Sequence, residues 1–422
     1  RLAELIEGRR TGRAASAVPV VTDADARLDS AMRFPPARRA RAGAQARRIL
    51  LTGATGFVGA FLLRELLART ERAGTEVVCL VRGESAEVAR VRLAGAMDSY
   101  GLGPAAYDPR VRVVRGDLAE EGLGVGAGQW ARLADGVDSV VHAGAYVHHL
   151  SPYERLRPAN VEGTRELLRL TAEGRPKRLH HVSTLGIFQG GPAPRLITED
   201  SDTSGEQHAT TDGYAASKWV SDRMVQHAVA QGADARVYRL GRVWAESGQG
   251  AVNTDDMYCR LLTTCAALGC YPEDAVARAD LLPADVAARA LVALALDDDP
   301  ADSAVVRHLH HFRPTDAKAF LGVFDALYGT RTAPVSLGEW LRRIRRAGEA
   351  GRDLPFLPYL DSFEEYARLT AEGAGGSADA FRNDRTLRSL ERLGVTVPEI
   401  DTAMIAAFWR RIPDAVVDRH SG

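Results

Sequence analysis

The chain has 422 residues, of which 45% are hydrophobic and 26% are charged, and its formal net charge is -1. This length exceeds what one hydrophobic core normally serves, so we expect one large domain with a smaller appendage. The composition is typical of a soluble globular protein, and the near-neutral charge, with no signal peptide and no apolar run of membrane-spanning length, predicts no nucleic-acid and no membrane partner.

Residues 1–45 are predicted to be the end of an upstream domain followed by a linker. The chain begins with Arg1 rather than methionine, and Leu2-Ala-Glu-Leu-Ile-Glu7 has the pattern of the last turns of an amphipathic helix. Residues 8–48 are rich in Arg, Ala and Pro, which indicates a linker that partly wraps the next domain. The basic cluster at residues 38–41 is more typical of a solvated segment than of an anion site.

From residue 48 onward, short apolar strands alternate with helices. The predicted strands are 48–52, 76–81, 111–114, 139–142, 178–182 and 236–240. The predicted helices are 60–70, 85–100, 160–173, 214–230 and 285–296. Alternation through at least five units predicts an α/β fold, a Rossmann-type doubly wound parallel sheet with helices on both faces.

Beyond Arg313 the pattern changes to a mostly helical segment that bears many aromatic residues. We assign residues 46–244 and 281–312 to the Rossmann domain, and residues 245–280 and 313–422 to a smaller, mostly helical substrate-binding lobe. Aromatic residues at helical spacing are usually core residues, and we expect this of most of the following set: Phe320, Phe324, Leu327, Trp340, Leu341, Phe356, Tyr359, Phe363 and Tyr366.

A glycine-rich turn, Gly53-Ala-Thr-Gly56-Phe-Val-Gly59, lies between the first strand and the first helix. Such a turn lets backbone N–H groups approach a pyrophosphate at the helix N-terminus, where the helix dipole favours negative charge. Its spacing is typical of the reductase and epimerase branch of dinucleotide-binding folds. The predicted cofactor contacts here are Thr52, Gly53, Thr55, Gly56, Phe57, Val58 and Gly59.

The residue after the second strand selects between dinucleotides, because an acid there binds the ribose 2′-hydroxyl of NAD and an arginine accommodates the 2′-phosphate of NADP. Here Val81 is followed by Arg82, and Arg92 lies in the next helix, so NADPH is favoured. Glu84 is close enough to be a competing hydroxyl ligand. Asp117 and Leu118, after the third strand, suit a contact with the adenine edge, although an Asp that opens the next helix explains the pattern equally well.

Tyr214 and Lys218 share one face of a predicted helix, so the lysine ammonium can lower the pKa of the phenol from about 10 toward working pH. Tyr-x-x-x-Lys is common by chance, but here it follows a dinucleotide turn. Between the two motifs, the strand at His181 ends in the hydroxyls of Ser183 and Thr184, either of which could hydrogen-bond a developing oxyanion.

Thr184, Tyr214 and Lys218 together resemble the catalytic triad of the extended short-chain dehydrogenases/reductases. We favour Thr184 over Ser183 because of its spacing to the aromatic Phe188. Between Asp25 and Arg313 the chain further resembles the thioester reductase domains that terminate nonribosomal peptide synthetases and polyketide synthases, and those of carboxylic acid reductases. The motifs that carry this resemblance are Asp25-Ala-Arg-Leu-Asp29, Leu80-Val-Arg82-Gly, Val141-His142-Ala-Gly-Ala145, Pro152-Tyr153, Asn160-Val-Glu-Gly-Thr164 and His181-Val-Ser-Thr184.

The resemblance implies NADPH-dependent reduction of an acyl or peptidyl thioester, carried on a phosphopantetheinylated carrier domain upstream in the same polypeptide. The product is an aldehyde, with further reduction to an alcohol left open. Tyr214 would protonate the oxyanion, Thr184 would hydrogen-bond it, and Lys218 would hold the nicotinamide ribose. Further cofactor contacts are implied at Ala143, Gly144, Ala145 and Asn160, the last with an equal alternative role as a helix N-cap.

The chain departs from the family pattern at Arg239-Leu-Gly-Arg242, where relatives more often have proline before the glycine and a small polar residue after it. Contacts near the nicotinamide are the part of the resemblance that this departure affects. Two alternative functions stay open. One is a free-standing reductase or epimerase of the same fold that acts on acyl-CoA or a sugar nucleotide, and the other is a redox-silent dinucleotide-binding or cyclising release module.

Metal binding and disulfides are not expected. Adjacent histidines on a strand point to opposite faces, so the pairs at residues 148–149, 180–181 and 310–311 cannot easily chelate one ion. The four cysteines are too few for a disulfide framework in a chain of this length and show no zinc-ligand spacing. We therefore expect reduced thiols and a cytoplasmic protein.

Overall fold

The computed structural model describes residues 21–34, 46–188, 195–206, 212–273, 279–299, 302, 304–311, 313–361, 363–364 and 380–412. In chain order its strands are β1 Arg48–Thr52, β2 Glu76–Val81, β3 Val111–Arg115, β4 Ser139–His142, β5 Arg178–Thr184, β6 Leu196–Ile197, β7 Ala235–Leu240, β8 Arg242–Trp244, β9 Cys270–Pro272, β10 Leu281–Pro283, β11 Val306–Leu309, β12 Ala333–Val335 and β13 Ala380–Phe381.

The helices, again in chain order, are α1 Phe57–Arg69, α2 Ala86–Ser99, α3 Gly103–Ala106, α4 Ala127–Gly136, α5 Tyr153–Arg157, α6 Gly163–Ala172, α7 Gly213–Ala230, α8 Met257–Leu268, α9 Ala284–Ala295, α10 Ala317–Tyr328, α11 Leu337–Glu349, α12 Asp384–Arg392 and α13 Thr402–Arg411. A π-helical turn, Pro158–Glu162, joins α5 to α6. None of these helices is both long and apolar enough to cross a membrane.

Seven strands form one sheet in the order β3-β2-β1-β4-β5-β7-β11, and every pair of neighbours is parallel. The chain order reverses at β1, which lies between β2 and β4. The loops that follow β1 and β4 therefore open a crevice at the carboxyl ends of the strands. This topology confirms the predicted α/β fold with a doubly wound parallel sheet.

Helices cover both faces of the sheet, because successive residues of a strand point to opposite sides. In β1, Ile49 and Leu51 pack with apolar residues of α1, α2 and α9. Leu50, between them, packs with α4, α6 and α7 on the other face. All three side chains are at most 1% exposed, so the sheet is buried on both sides around the crevice.

Residues 21–34 lie over the second helical layer. Ala26 and Met32 are buried in the core of that layer, and Arg223 of α7 donates a hydrogen bond of 3.0 Å to the Asp23 carboxylate. These residues pack against the domain, while their assignment to a linker stays a prediction. The rest of the predicted tail and linker lies outside the described residues.

A separate apolar cluster forms the core of the C-terminal lobe and gathers α8, α10, α11 and α13. Trp244 from the end of β8 also belongs to this cluster. Of the nine side chains predicted as mostly core, Leu327 is 36% exposed and Tyr366 lies outside the described residues. The others are buried in the cluster or packed against it: Phe320, Phe324, Trp340, Leu341, Phe356, Tyr359 and Phe363.

The helix predicted to begin at residue 160 begins seven residues earlier, at Tyr153. Pro158 disfavours a regular helix through this position, because a proline lacks the N–H for an intrahelical hydrogen bond and its ring clashes with the preceding turn. Here the chain widens into the π-helical turn at this proline and continues as a helix to Ala172. Such π turns are frequent at functional sites.

Residues 380–397 pack against the sheet, although the sequence places them in the lobe. Leu390 and Val395 are buried in the core around α1 and α9, and β13 pairs with β6. The carbonyl of Arg382 is 3.1 Å from Nδ1 of His308 in β11, a strand that was not predicted. The C-terminal segment thus covers the edge of the sheet before it returns to the lobe.

Candidate active site

The turn after β1 brings the chain into close contact with the loop after β4. Gly53 has a φ of +78°, and a Cβ built there would lie 2.6 Å from the carbonyl carbon of Ala143 and from the amide nitrogen of Gly144. No residue other than glycine fits this position. The turn therefore leaves backbone, rather than side chains, facing the crevice.

Helix α1 begins directly at this turn. Its N-cap is Gly56, which offers no side-chain hydrogen bond to the first N–H groups. A Cβ at Gly59 would lie 1.9 Å from the carbonyl oxygen of Gly53, so only glycine allows the helix to start this close to the strand. The open N–H groups of Phe57 and Val58 and the positive end of the helix dipole form a cradle for phosphate.

Thr52 links the loops that follow β1 and β4, and its predicted contact with a cofactor stays a prediction. It is completely buried. Its Oγ1 accepts a hydrogen bond of 3.1 Å from the Gly144 amide and lies 2.8 Å from Nδ1 of His142. Burial lowers the pKa of His142 to about 3, with a smaller effect from Lys218, so this imidazole is neutral. Thr52 thus fixes the two loops of the crevice to each other.

Arginines lie at the carboxyl end of the outer strands. Arg82 follows β2 and Arg92 lies in α2; both are exposed, and neither has a hydrogen-bond or ion-pair partner among the described residues. Arg115, the last residue of β3, pairs in register with Val81 and donates a hydrogen bond of 2.8 Å from Nε to the carbonyl oxygen of Gly83. The sequence analysis missed Arg115, whose signal was its position at a strand end beside Arg82.

The carboxylate of Asp117 closes its own turn, because Oδ1 accepts a hydrogen bond of 2.9 Å from the amide of Ala119. Asp117 does not open the next helical segment, which begins at Glu121 with Glu120 as its N-cap, and the contact with an adenine edge stays a prediction. Leu118 lies between two loops: a Cβ at Gly144 would be 2.5 Å from its Cδ1, and a Cβ at Gly163 would be 2.7 Å from its carbonyl oxygen. Leu118 therefore forms a wall of the crevice.

Asn160 is not a helix N-cap, and its predicted contact with a cofactor stays a prediction. It is 1% exposed and lies inside the π-helical turn. Its amide group clamps Tyr146, accepting from the backbone N–H at 2.6 Å and donating to the carbonyl oxygen at 3.1 Å. It also donates to Oγ of Ser217 in α7 at 2.9 Å, and Ser217 in turn donates to the Tyr214 carbonyl. Asn160 thereby ties the loop after β4 to the helix of the tyrosine.

Tyr214 and Lys218 lie one turn apart in α7, as predicted, but the predicted effect of the lysine on the tyrosine is wrong. Burial, assisted by the Asp212 carboxylate, raises the pKa of Tyr214 well above its ordinary value. Nζ of Lys218 instead donates a hydrogen bond of 2.8 Å to the carbonyl of Val182 in β5 and lies 3.5 Å from Nε2 of His181. Burial lowers the pKa of Lys218 to about 8, against the opposing effect of Asp222.

Of the two hydroxyls at the end of β5, Thr184 is the more accessible. Thr184 is partly exposed, and its Oγ1 accepts a hydrogen bond of 3.0 Å from the amide of Gly186, which leaves its hydroxyl hydrogen available to an acceptor. Ser183 is buried against the Asp222 carboxylate. Adjacent strand residues point to opposite faces, so the structure favours Thr184 over Ser183.

Arg239, two residues before Gly241, lies in the core of the protein. Its guanidinium forms two hydrogen bonds to Asp222, at 2.9 and 3.0 Å, and the two side chains are at most 1% exposed. Burial opposes ionisation of Asp222, but Arg239 holds its pKa below the ordinary value. Asp222 lies one helical turn after Lys218. This buried ion pair lies behind the lysine. The two residues that depart from the family pattern are Leu240, which is buried, and Arg242, whose guanidinium lies 5.1 Å from the ring centroid of Tyr258.

The histidine pairs do not gather around a common point. His180 is 2.9 Å from the hydroxyl of Tyr238, while His181 faces Lys218, so these neighbours point to opposite faces. His148 and His149 lie in the exposed loop after β4 rather than on a strand. Within the ranges that the structure describes, no group of three or more His, Cys, Asp or Glu side chains could hold a metal ion.

Comparison with protein families assigns residues 51–291 to the Male sterility protein family of NAD-binding domains. Among solved structures, the terminal R domain of the myxalamid PKS-NRPS pathway is similar, with 34% identity and a TM-score of 0.80, over 94% of this chain and 97% of that domain.

Two curated relatives are much longer proteins. A linear gramicidin synthase of Brevibacillus parabrevis is 33% identical over 85% of this chain, which spans 7% of that protein. The L-2-aminoadipate reductase of Penicillium chrysogenum is 35% identical over 69% of this chain, which spans 21% of that protein. The chain therefore corresponds to a small part of each of these relatives.

Proposed function

The chain belongs to the Male sterility protein family and is a terminal reductase domain of the extended short-chain dehydrogenase/reductase superfamily, and we propose from this premise that it releases an acyl or peptidyl chain from a carrier-bound thioester by NADPH-dependent reduction to an aldehyde. The observation that carries the proposal is the half-buried Tyr214, which lies one helical turn before Lys218 and whose phenol pKa is raised by burial. A protonated phenol at this place suits a carbonyl that gains negative charge during reduction.

The cradle fits a dinucleotide, because Gly53 and Gly59 allow close backbone contacts that a Cβ would block, and no side chain caps the first N–H groups of α1. Gly53, Gly56 and the N–H groups of Phe57 and Val58 would hold the pyrophosphate. Thr55, Ala143 and Ala145, each partly exposed beside the cradle, would complete the contacts. Reduced nicotinamide, when bound, supplies hydride to the carbonyl carbon of the substrate.

The choice of NADPH over NADH is supported by the arginines at the outer strands. Arg82 is exposed and without a partner among the described residues, and Arg115 is held beside it by the carbonyl of Gly83. Guanidinium groups bind phosphate through charge-assisted hydrogen bonds. We assign Arg82 and Arg115 to the 2′-phosphate. We assign Arg92, which lies in α2 about one helical turn after the buried Ala89, as a further contact with the same phosphate.

Tyr214, Thr184 and Lys218 have different roles in the reduction of the substrate carbonyl. Tyr214 donates its proton to the oxygen as charge develops, because burial keeps the phenol protonated at physiological pH. Thr184 donates a second hydrogen bond to the same oxygen. Lys218 binds the nicotinamide ribose and, through its bond to Val182, holds α7 against β5.

The partner that we propose is a phosphopantetheinylated carrier domain in the same polypeptide. The much longer synthetase and reductase relatives support this partner. A domain linked in this way is presented at about millimolar effective concentration, so weak docking suffices. We also propose a cytoplasmic location, which the four buried and unpaired cysteines support.

The decisive experiment compares three substrates under NADPH: an acyl group on a carrier domain, the same acyl group on a small soluble thiol, and a sugar nucleotide. We expect the carrier-bound thioester to give the highest kcat/KM, because contacts with the carrier and its arm contribute to transition-state binding. Mass analysis of the products separates aldehyde from alcohol. Equal or better turnover of the soluble thioester or of the sugar nucleotide would favour a free-standing enzyme.

A further inference from the structure

His149 lies against Tyr214 and has no role in the chemistry described so far. The two ring centroids are 5.2 Å apart and the ring planes meet at 73°. Nδ1 of His149 is 3.4 Å from Oδ2 of Asp212, and the histidine side chain is 43% exposed. The imidazole can therefore meet both solvent and a substrate that is bound at the tyrosine.

The placement of His149 is fixed from two sides. Asp212 is the N-cap of α7, and its Oδ1 accepts a hydrogen bond of 2.7 Å from the amide of Ala215. This bond to the helix also fixes the position of Oδ2, the oxygen near His149. A Cβ at Gly213 would lie 2.5 Å from the carbonyl oxygen of Ser151. The start of α7 and the loop after β4 are thus in direct backbone contact beside the histidine.

The neighbouring His148 serves a different purpose. Its Nδ1 is 3.0 Å from Oγ of Ser151, and its ring makes an edge contact with Tyr146 at 6.1 Å. His148 therefore stabilises its own loop. Nε2 of His149, in contrast, has no hydrogen-bond partner among the described residues. The titratable groups around His149 are Asp212 and Tyr214 from α7 and His148 from its own loop.

The proposed reaction requires a proton at sulfur that the triad does not supply. Tyr214 and Thr184 both act on the substrate oxygen. Lys218 is 2% exposed and its Nζ is bound to the Val182 carbonyl. After reduction, the carbon–sulfur bond must break and the thiol must leave, and alkyl thiolates are basic enough to benefit from a general acid.

We propose that His149, oriented by Asp212, is a further catalytic residue that protonates the sulfur of the departing pantetheine-type thiol. The inference rests on the proposed function. Imidazole is the side chain best suited to proton transfer near neutral pH. The contact between the two rings places His149, the proton donor to sulfur, beside Tyr214, the proton donor to oxygen.

Atoms and electrons balance in this step. Hydride from the reduced nicotinamide and the proton of Tyr214 have by then been added across the thioester carbonyl. The new hydroxyl returns its proton to the Tyr214 phenolate, the carbon–oxygen double bond forms again, and the carbon–sulfur bond breaks. The electron pair stays on sulfur, which takes the proton from Nε2 of His149, and solvent protonates His149 again. One thioester, one reduced nicotinamide and one proton give an aldehyde, a thiol and oxidised nicotinamide.

The test compares His149→Gln with the matched variant His148→Gln from the same loop. Two small thioesters of one acyl group are used, one with an alkyl thiol and one with an acidic aryl thiol that leaves without protonation. NADPH oxidation and thiol release are followed separately in a single turnover. We expect His149→Gln to release the alkyl thiol about 10²-fold more slowly than the wild type and to lag behind NADPH oxidation. Release of the aryl thiol stays near the wild-type rate, and His148→Gln matches the wild type on both substrates.

The leaving-group dependence separates catalysis from a structural role. A merely structural His149 would slow both thioesters equally, and that result, or unchanged release of the alkyl thiol, overturns the proposal. NADPH affinity and thermal unfolding of His149→Gln should equal those of the wild type. If the wild-type protein reduces neither these two thioesters nor the same acyl group on a carrier domain, the proposed function itself fails. That result is distinct from an active wild type whose rates His149→Gln leaves unchanged.

Discussion

Replacing Lys218 with methionine is expected to stabilise the fold while it abolishes turnover. The lysine is 2% exposed, and burial lowers its pKa from 10.5 to about 8. One pKa unit corresponds to about 1.4 kcal/mol, so burial of the ammonium destabilises the folded state by about 3 kcal/mol near neutral pH. Methionine loses the hydrogen bond to the Val182 carbonyl, which contributes about 1 kcal/mol. The free energy of unfolding should therefore rise by about 2 kcal/mol.

The gain in the free energy of unfolding of Lys218→Met depends on pH in a defined way. Below about pH 8 Lys218 is protonated in both the folded and the unfolded state, and the full penalty is present. Between this value and 10.5 the folded protein releases the proton while the unfolded chain keeps it, so wild-type stability rises with pH and the advantage of methionine shrinks. Lys177, whose pKa burial also lowers to about 8, titrates in both proteins and cancels in the difference.

Urea unfolding of the wild type, Lys218→Met and Lys318→Met at about pH 7 and about pH 10 measures this effect. Lys318 is a matched control, because it is an exposed lysine paired with Glu273 at 3.1 Å, and the loss of such a surface ion pair should leave stability nearly unchanged. The reasoning is refuted if Lys218→Met is less stable than the wild type at the lower pH. It is equally refuted if the difference does not narrow at the higher pH.

Tyr214→Phe should retain NADPH binding, measured by fluorescence titration, while turnover falls by about 10²–10⁴-fold; near-normal reduction would mean that another group is the proton donor. Arg82→Ala and Arg115→Ala should each weaken NADPH binding by about 1.5–3 kcal/mol and leave NADH affinity nearly unchanged. Equal affinity of the wild type for both dinucleotides would contradict the phosphate assignment. Gly53→Ala, with a φ of +78° and a backbone clash, should destabilise the protein by more than about 2 kcal/mol and abolish cofactor binding. Gly74→Ala, with a similar φ but open space around it, should lose about 1 kcal/mol and bind cofactor normally, and a similar loss of binding in both variants would contradict the cradle.

The sheet and the glycine turn could be predicted from the sequence because their signals are local. An apolar run followed by Gly-x-x-Gly-x-x-Gly specifies a strand, a turn and a helix start without knowledge of distant residues. The same holds for Tyr214 and Lys218, whose helical spacing is a property of one segment. Strand β11 was harder to recognise, because it is short and contains Arg307 and His308, which the structure buries.

The roles of Thr52, Asn160 and Arg115 could not be predicted, because each depends on a contact between distant segments. Asn160 lies 57 residues from Ser217, to which it donates. Arg115 lies 32 residues from the carbonyl that orients it. The pKa of Tyr214 is decided by desolvation, which depends on everything packed around α7 rather than on the spacing to Lys218.

The return of residues 380–397 to the sheet bears on how such reductases can be recombined. Among the described strands, β11 pairs with β7 alone, and Arg382 and Glu199 accept hydrogen bonds from its other edge. A truncation before residue 380 would uncover that edge and invite association between chains. A hybrid that takes the part of the lobe beyond residue 312 from a relative should therefore carry residues 380–397 with the parent sheet. Three junctions, after residues 312, 379 and 397, then replace one C-terminal fusion point.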